Sequence, residues 1–548
     1  MKIIDYLIDK KVNIHSVPGS HNLPLYEVGE KESDLKLLSW RTEYGAFNGA
    51  LGSAKAMGKT EIITTIAGPG ITSLTTVVGQ AYAESVPLIC IGVNNYKKDM
   101  DAEKGLIHEI ADSRGLFEPI TAVSVRAETG KELANMIYHF MENSKEIAKP
   151  IYIEVPSEIF SEAFENNAEI TKECNILEEF LYENDDEIEK IVDECAKKLI
   201  NATLPVIHIG WGGQLSDVSK ELIEICNTCG VMVIPTVRAR GLLEENYPYN
   251  AGAIWDRGRQ VTEIAQKSDL VIAIGTRLSM LNTKNGTLPI EGDLYHIVND
   301  SKFFGVFYPD STNLKCDSKR FLKMLLEKIK GQKNEERCNR IKETVARIRE
   351  QWDSKLEEKV PAVSKLMSDI REAYDEDTHF VVDMCQEGYW LARYIHMNRR
   401  LVHQSPFYFG TLGASIPNAI GVSYNKKSDV VTVCGDGGFA YGFNELSTAK
   451  KYEIPIKILL FNNKRFDAIV RAHRFRYNNE SDHYQLYNPD FKCISDAYDI
   501  NYYKTDYRGV KDTICKANKE SKSYIIEVIS DDIPMFNSIK WEDLNLNI

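Results

Sequence analysis

The feature that most constrains the fold of this chain is a unit that occurs twice. Residues 62–95 read IITTIAGPGITSLTTVVGQAYAESVPLICIGVNN, and residues 430–463 read VVTVCGDGGFAYGFNELSTAKKYEIPIKILLFNN. Each copy has a β-branched apolar run, a Gly-x-Gly turn, a helical stretch and a second apolar run that ends in Asn-Asn. A strand, a helix and a further strand in this order are typical of parallel βαβ units. The repeat therefore predicts a duplicated α/β unit with parallel strands.

Similar strand and helix signals extend this pattern to three blocks. The chain has 548 residues, which is too long for a single hydrophobic core. We therefore predict an α/β fold of three doubly wound parallel-sheet domains, with boundaries at 1–165, 185–335 and 360–548. An acidic, weakly patterned connection (166–189) follows the first block, and a highly charged helical stretch (328–352) precedes the third.

Charge and cysteine usage restrict the classes of partner and compartment. The net charge of −14 argues against a nucleic-acid or membrane surface, and no apolar segment reaches the ~18 residues of a membrane span. The amino terminus lacks the apolar run of a signal peptide. Eleven cysteines without framework spacing indicate free thiols and a cytoplasmic location. Cys226 and Cys229 have no second ligand pair after them, so we expect buried helix thiols rather than a zinc site.

Asp436 is the residue of the second copy that points to a ligand. It lies between Gly435 and Gly437, where the backbone can turn sharply and approach a bound group closely. The helix that follows would present free amides to a phosphate, whereas a carboxylate at this place repels phosphate unless a cation lies between them. Asp436 therefore implies Mg²⁺ or Ca²⁺ bridging to a diphosphate. Pro69 replaces the acid in the first copy, so only the second copy can bind the cation.

These motifs resemble the thiamine-diphosphate-dependent enzymes typified by acetolactate synthase, pyruvate decarboxylase and benzaldehyde lyase. The family signature is Gly-Asp-Gly followed some two dozen residues later by Asn-Asn, and here 24 residues lie between Gly437 and Asn462. The resemblance extends over nearly the whole chain. Other segments that resemble the family are VPGSHNLPLYE (17–27), RTEYGAFNGALGSAKAMGK (41–59) and FYFGTLGASIPNAIGV (407–422).

The resemblance implies thiamine diphosphate and Mg²⁺ as cofactors. It makes Asp436, Asn463 and the backbone carbonyl of Arg465 the metal ligands. Leu412 matches the bulky residue that wedges the cofactor into a bent form, and the Gly410 carbonyl faces its aminopyrimidine. The cofactor-binding residues that it implies are Gln386, Gly410, Leu412, Gly435, Gly437, Gly438 and Asn463. The sequence departs from the synthases at Glu387, where they often have histidine.

The resemblance makes Glu43 the principal catalytic residue. In the family this glutamate contacts a pyrimidine ring nitrogen and drives the 4′-amino group into the imino form that deprotonates thiazolium C2. A glutamate with this role must be partly protonated in a dry site, so we expect its pKa to be raised. The family brings the glutamate from one subunit to the cofactor of another. A homodimer or homotetramer is therefore expected, and a monomer should be inactive.

Two positions bear on the fate of the acyl group. His108 falls near an active-site histidine of the decarboxylases, and we assign it as a second catalytic residue. Pyruvate decarboxylases also carry a glutamate soon after Asn-Asn, but this chain has Ile469 at about that place. The missing acid favours transfer of the acyl group to an aldehyde or ketone acceptor, as in acetolactate synthase, over simple protonation.

The predicted reaction is decarboxylation of a 2-oxo acid followed by carboligation, by an enzyme that binds neither nucleic acid nor membrane. Simple 2-oxo acid decarboxylation and benzaldehyde-lyase-like cleavage are the enzymatic alternatives. A catalytically inactive binding protein would require loss of Glu43, Asp436 or Asn463, and a dinucleotide-dependent dehydrogenase would need a Gly-x-Gly-x-x-Gly turn in the right context. The central domain of relatives holds FAD, ADP or nothing. FAD stays open here, but we do not expect it, because HIGWGG (208–213) is no nucleotide fingerprint by itself.

Overall fold

The computed structural model describes residues 3–100, 103–158, 177, 180, 184–253, 258–479, 481–531 and 533. The chain forms two compact units. The first comprises residues 1–181, 378–388 and 404–531, and the second comprises residues 182–377, 389–403 and 532–548. Two six-stranded sheets belong to the first unit, and a five-stranded sheet belongs to the second. Most of the predicted connection 166–189 lies outside the described residues.

The first sheet, here the N-terminal sheet, has the strand order β2-β1-β3-β4-β6-β5 with parallel pairing. Its strands β1 to β6 are Asn13–Ser16, Lys36–Ser39, Glu61–Ile66, Leu88–Asn94, Ser124–Arg126 and Ile151–Pro156. Its helices α1 to α6 are Ile3–Asp9, Leu23–Lys31, Glu43–Met57, Pro69–Glu84, Gly130–Glu142 and Ser144–Ile147. The central strands β3, β4 and β6 are buried along almost their whole length, because helices cover both faces of a parallel sheet.

The central sheet has the order β11-β10-β9-β7-β8 and also pairs in parallel. Its strands β7 to β11 are Pro205–Ile209, Met232–Pro235, Leu270–Ile274, Asp293–Val298 and Thr312–Lys315. The helices α7 to α13 are Asp185–Asn201, Trp211–Ser216, Ser219–Cys229, Gly258–Lys267, Ser318–Lys328, Glu335–Lys359 and Pro361–Glu372. Cys226 and Cys229 are buried free thiols of α9, which ends at Gly230 in the left-handed conformation (φ 65°), as predicted.

The C-terminal sheet has the order β13-β12-β14-β15-β17-β16. Its strands β12 to β17 are His379–Val382, His403–Gln404, Val430–Gly435, Lys457–Asn462, Asn501–Asp506 and Tyr524–Ile529. The helices α14 to α20 are Gln386–Tyr394, Ser415–Asn425, Asp436–Gly442, Leu446–Lys451, Asp467–Tyr477, Phe491–Ala497 and Val510–Glu520. The prediction of an α/β fold with three parallel sheets is confirmed, whereas the predicted domain boundaries remain predictions.

The two six-stranded sheets repeat one another in detail. Counted along the chain, both have the strand order second, first, third, fourth, sixth, fifth. Asn94 at the end of β4 donates to Glu154 of β6 at 2.8 Å, and Asn462 at the end of β15 donates to Glu527 of β17 at 2.7 Å. The duplication predicted from the sequence is therefore confirmed, and the copies share this buried amide–carboxylate pair.

Helix α3 of the N-terminal sheet packs closely against α15 of the C-terminal sheet within the first unit. A methyl group at Gly52 would collide with the Asn418 backbone, and one at Gly421 would collide with the Gly49 backbone. These glycines let the two helix backbones approach one another directly. The packing fixes α3, whose first residue is Glu43.

A buried ion pair joins α3 to α4. Lys55 and Glu84 form a direct salt bridge with side chains that are 4% and 0% exposed, and Gln80 donates to Glu84 at 3.1 Å. Removing one partner of such a pair leaves an uncompensated buried charge, which costs about 3–5 kcal/mol. We therefore expect Lys55→Met to lower the unfolding free energy by this order, as measured by urea denaturation.

The matched control is Lys55→Met combined with Glu84→Leu, because the double variant buries neither charge. It should recover most of the stability that the single variant loses. A double variant that is less stable than Lys55→Met would contradict this interpretation.

Among the described residues, every helix is too short or too polar to span a lipid bilayer.

Candidate active site

The carboxyl edge of the C-terminal sheet carries a topological switch point between β12 and β14. Neighbouring loops leave this point in opposite directions, and ligands of open α/β sheets bind there. The β12 strand leads into Asp383 and then into Gln386, the first residue of α14. The β14 strand leads directly into Asp436, the first residue of α16. The fold thus brings two of the predicted site segments to one crevice.

Asp436 is 3% exposed, and burial raises the pKa of its carboxyl. Its Oδ2 accepts hydrogen bonds from the Lys464 amide and the Asn488 side chain, both at 2.7 Å. Asn462 Oδ1 accepts from the same two donors, at 3.2 Å and 3.0 Å respectively. The side-chain oxygens of Asp436 and Asn462 therefore converge on one position, which the N–H groups of Lys464 and Asn488 face.

This arrangement fits a hard divalent cation. Within the described ranges, no three His, Cys, Asp or Glu side chains cluster as metal ligands. A cation at Asp436 would therefore take amide and backbone carbonyl oxygens as its other ligands, which suits Mg²⁺. The two predicted ligands Asn463 and Arg465 lie half-buried in the loop after β15. Their roles as ligands remain predictions.

The loop that contains these predicted ligands is held by a second segment. The Phe466 amide donates to the Tyr484 carbonyl at 2.9 Å, and the Leu486 amide donates to the Lys464 carbonyl at 2.7 Å. Two residues further on, Asn488 reaches Asp436. Sequence reasoning missed Asn488, because it lies in a loop far from Asp436 along the chain and has no motif of its own.

Different local features explain why glycine occupies each of the predicted cofactor-binding positions. A methyl group at Gly437 would lie 2.5 Å from the Phe466 ring, and one at Gly438 would lie 3.1 Å from the Asp383 carboxylate. These two glycines therefore let α16 pack against its own surroundings. Gly435 is extended (φ −82°, ψ 164°) and precedes α16. Gly410 has φ 83°, and a methyl group there would meet only Met384, at 3.9 Å, so space remains beside its backbone.

The loop that carries Gly410 and Leu412 is fixed from two sides. Asp383 is buried and accepts hydrogen bonds from the amides of Gly413 (2.9 Å) and Ser415 (3.1 Å). The Tyr44 hydroxyl donates to the Leu412 carbonyl at 2.7 Å. Leu412 itself is half-buried. Asp383 anchors this loop to the end of β12, and no motif of the sequence marks this residue.

Gln386 and Glu387 begin α14 and are 7% and 4% exposed. Burial, together with the nearby charges of Asp467 and Asp436, raises the pKa of Glu387 to about 7. The resemblance places the diphosphate near this pair of residues. A protonated Glu387 would not repel a diphosphate, so the departure from histidine is compatible with an anionic ligand.

The raised pKa of Glu387 predicts a dependence of apoprotein stability on pH. The folded state keeps the proton to about pH 7, whereas an unfolded glutamate releases it near pH 4.5. The folded state therefore binds more protons in this range, and the unfolding free energy falls as pH rises through it, by at most about 3 kcal/mol. Glu387→Gln should flatten this fall in urea denaturation series.

Glu61 is the internal reference for that experiment, because burial also raises its pKa to about 7 and it stays in the variant. The comparison is therefore between wild type and Glu387→Gln in the slope of the unfolding free energy against pH. Equal slopes between pH 5 and pH 8 would contradict the assignment to Glu387.

Glu43 begins α3 at the carboxyl edge of the N-terminal sheet, after β2, and is half-buried. The helix starts here because Thr42 caps it, accepting from the Gly45 amide at 3.0 Å. Glu445 in turn accepts hydrogen bonds from the Thr42 amide at 3.0 Å and the Thr42 hydroxyl at 2.6 Å. The backbone at Glu43 is therefore fixed, because the preceding Thr42 bonds both to Gly45 within the helix and to Glu445 of the C-terminal half. The catalytic role of Glu43 remains a prediction.

His108 lies at the same edge of the N-terminal sheet, in the loop after β4. Its backbone is in the left-handed region (φ 66°), and its ring faces that of His21 with centroids 5.6 Å apart. His21 was not predicted, although it lies within the VPGSHNLPLYE segment. Ile469, at the position where decarboxylases carry an acid, is 51% exposed on α18.

Three models of thiamine pyrophosphate enzyme domains match the chain in order. The N-terminal TPP binding domain matches residues 2–116, the central domain matches residues 192–325 and the C-terminal TPP binding domain matches residues 383–528. The chain belongs to the thiamine pyrophosphate enzyme family. The C-terminal match starts at Asp383 and includes Asp436, so the switch-point crevice of the structure lies in a TPP binding domain of this family.

Relatives from several organisms cover most of the chain. It is 28% identical to a protein of Pseudomonas aeruginosa named "Probable 2-ketoarginine decarboxylase", over 88% of this chain and 85% of the relative. It is 25% identical to the acetolactate synthase large subunit of Cyanidium caldarium, over 97% of this chain and 91% of the relative. It is 24% identical to the acetolactate synthase isozyme 2 large subunit of Escherichia coli, over 89% of this chain and 87% of the relative. The names of these relatives thus include one decarboxylase and two synthases.

Proposed function

We propose that this chain decarboxylates a 2-oxo acid with thiamine diphosphate and Mg²⁺ and transfers the acyl group to an aldehyde or ketone acceptor. The observation that carries the proposal is Asp436, a buried carboxylate at the switch point of a TPP binding domain. A carboxylate there is compatible with a diphosphate only when a cation joins them. The family names of the relatives agree with this chemistry.

Each part of the site has a defined task in this proposal. Asp436, Asn463 and the Arg465 carbonyl would hold Mg²⁺, and Gln386 would contact the diphosphate. Leu412 and Gly410 would support the pyrimidine, on a loop that Asp383 fixes. When bound, the cofactor would supply a nucleophilic carbon and an electron sink for the electron pair that decarboxylation leaves behind.

Glu43 would hold a proton at the pyrimidine ring nitrogen of the cofactor. Its place at the start of a buried helix fixes its backbone, and exclusion of water by a second subunit would favour the protonated form of its carboxyl. We therefore include assembly into a homodimer or homotetramer, with each site between two subunits, in the proposal. The isolated chain leaves Glu43 half-buried, which is compatible with a partner that covers it.

The fate of the acyl group is proposed from Ile469. An exposed isoleucine on α18 cannot protonate the acyl carbon, so reaction with a carbonyl acceptor is favoured. Simple decarboxylation to an aldehyde is the second candidate, and the decarboxylase name of the Pseudomonas aeruginosa relative favours it. The proposal assigns no role to FAD in either reaction.

The test is incubation of the purified chain with thiamine diphosphate, Mg²⁺ and a panel of 2-oxo acids, one of which carries a guanidinium group. Each acid is tested with and without aldehyde and ketone acceptors, and products are identified by mass spectrometry. The proposal expects acceptor-dependent hydroxyketones. Aldehyde as the sole product would favour the second candidate, and no CO₂ release from cofactor-loaded protein would overturn both. Visible absorption of the purified protein tests for flavin.

A further inference from the structure

Asn488 reaches the proposed cation site from a loop that lies 52 residues after Asp436 in the chain. Its neighbour Tyr487 is 100% exposed, whereas Asn488 turns inward and is half-buried. The side-chain amide of Asn488 donates to Asp436 Oδ2 at 2.7 Å and to Asn462 Oδ1 at 3.0 Å. One side chain therefore holds oxygens at the ends of the neighbouring strands β14 and β15.

The orientation of the Asn488 amide is fixed by its partners. Asn462 donates through Nδ2 to Glu527 at 2.7 Å, so its Oδ1 is the atom that faces Asn488. The ionised carboxylate of Asp436 can only accept hydrogen bonds. Asn488 therefore presents its NH₂ group to both oxygens, and it acts here as a hydrogen-bond donor rather than as a cation ligand.

The contact leaves a defined part of the Asp436 carboxylate available. Oδ2 accepts from Asn488 and from the Lys464 amide, both at 2.7 Å, and these donors use both of its lone pairs. Oδ1 accepts from the Gly437 amide at 2.9 Å and has one lone pair left. Asn488 thus fixes the rotation of the carboxylate and leaves Oδ1 for a cation.

The segment 484–488 also orients the loop that contains the predicted ligands. It pairs antiparallel with residues 464–466, with Gln485 opposite Arg465. The hydrogen bonds of this pair are made by the residues on either side of Arg465, so the N–H and C=O groups of Arg465 itself face away from the segment. Its carbonyl accepts from the Asp467 amide at 2.9 Å and retains a second lone pair.

The first copy of the repeat shows what the fold needs without this contact. Asn94 donates to the buried Glu154, as its counterpart does in the second copy. The Oδ1 of Asn94 accepts from the adjacent Asn95 amide at 2.7 Å, and no distant loop among the described residues donates to it. Pro69 stands there in place of Asp436. The contact from a distant asparagine therefore accompanies the acid rather than the fold.

We propose that Asn488 is a positioning residue that holds the Asp436 carboxylate in the orientation that selects Mg²⁺. The inference rests on the proposed function. Residues that orient the ligands of a metal contribute roughly 10- to 100-fold to metal affinity. Mg²⁺ requires nearly octahedral ligands, whereas Ca²⁺ accepts irregular arrangements, so a misplaced carboxylate weakens the binding of Mg²⁺ more than that of Ca²⁺.

Calorimetric titration of thiamine diphosphate in the presence of either Mg²⁺ or Ca²⁺ tests this proposal without a measurement of activity. Asn488→Ala should weaken the Mg²⁺-supported binding roughly 10- to 100-fold. The Ca²⁺-supported binding should weaken less, so the preference for Mg²⁺ over Ca²⁺ should fall roughly tenfold. A merely structural role would lower both affinities by the same factor. Equal losses with the two ions, or wild-type affinity with Mg²⁺, would overturn the proposal.

The matched control is Asn201→Ala, because Asn201 is exposed in the second unit and its amide donates to the Lys197 carbonyl at 2.8 Å. This variant should bind the cofactor as wild type does with both ions. Asn488→Ser keeps a hydroxyl donor on a shorter side chain and should show an intermediate loss, and it replaces the alanine variant if urea denaturation shows that the latter is unfolded.

The outcomes separate this inference from the proposed function. If wild type binds no thiamine diphosphate with either ion, the proposed function fails and the inference fails with it. If wild type binds the cofactor and both Asn488 variants bind it equally well, only the inference is overturned.

Discussion

Replacing Glu43 by glutamine is expected to lower turnover roughly 10²- to 10⁴-fold while thiamine diphosphate remains bound. Glutamine has nearly the same shape and keeps the helix start that Thr42 and Glu445 fix. It cannot supply the proton that the proposed role requires at the pyrimidine nitrogen. The loss should therefore be confined to chemical steps, because the proposed cation and diphosphate contacts lie on the C-terminal sheet.

The measurement is CO₂ release from a 2-oxo acid that the wild type uses, together with calorimetric titration of the cofactor in the presence of Mg²⁺. Glu27→Gln is the matched control, because it removes a carboxylate that is 68% exposed and paired only on the surface with Lys31. Undiminished turnover in Glu43→Gln would contradict its assigned role. Loss of cofactor binding would instead indicate a structural function for Glu43.

Replacing Asp436 by alanine is expected to weaken Mg²⁺-dependent cofactor binding by roughly 10²- to 10³-fold, as for removal of one partner from a buried charge pair. The same change leaves the Lys464 amide and the Asn488 side chain without their short acceptor. Asp436→Asn keeps an oxygen for these donors and removes only the charge. A similar loss in both variants would assign the effect to the charge.

Calorimetric titration of thiamine diphosphate with Mg²⁺, and then with a chelator, measures this effect. Asp499→Asn serves as the control, since that carboxylate is 94% exposed and pairs with Lys450. Wild type should lose its affinity for thiamine diphosphate in chelator, and Asp436→Asn should bind the cofactor weakly both with Mg²⁺ and in chelator. Tight binding to wild type in chelator would rule out the cation bridge.

The two variants together test whether sites form between subunits. In a dimer of Glu43→Gln and Asp436→Ala chains, a shared site would bring both defects into one site and leave the other intact. Random mixing should then restore about one quarter of wild-type activity, because half of the dimers are mixed and each has one good site. No recovery after mixing would place Glu43 and Asp436 of one chain in the same site.

The sequence predicted the long, apolar strands but not the short or edge strands. The strands of the two repeat copies, β3 and β4 in the first and β14 and β15 in the second, are where the pattern placed them. The missed strands lie at or next to sheet edges, and each contains polar or charged residues: β1, β2, β5, β11, β13 and β16. An edge strand is paired on one side only, so less of it must be apolar. The identical order of the two six-stranded sheets follows from the duplication, which one Gly-x-Gly repeat revealed.

The site was predictable where a single segment carries both ends of an interaction. Asp436 could be found because its strand, turn and helix are contiguous. Asn488 and Asp383 could not, because their partners Asp436 and Gly413 meet them only through the fold. His21 lay in a segment that the resemblance had already identified, and its pairing with His108 is the signal that sequence lacks.

Exchange of the thiazolium C2 proton of thiamine diphosphate for deuterium is the most direct measurement of the central claim, since it requires no knowledge of the substrate. The cofactor is mixed with the protein and Mg²⁺ in D₂O, and the remaining C2 proton is measured by NMR after acid quenching. We predict that wild type accelerates this exchange by orders of magnitude over free cofactor and that Glu43→Gln does not. Exchange no faster with wild type than with free cofactor, under conditions where calorimetry shows it bound, would contradict cofactor activation by this chain.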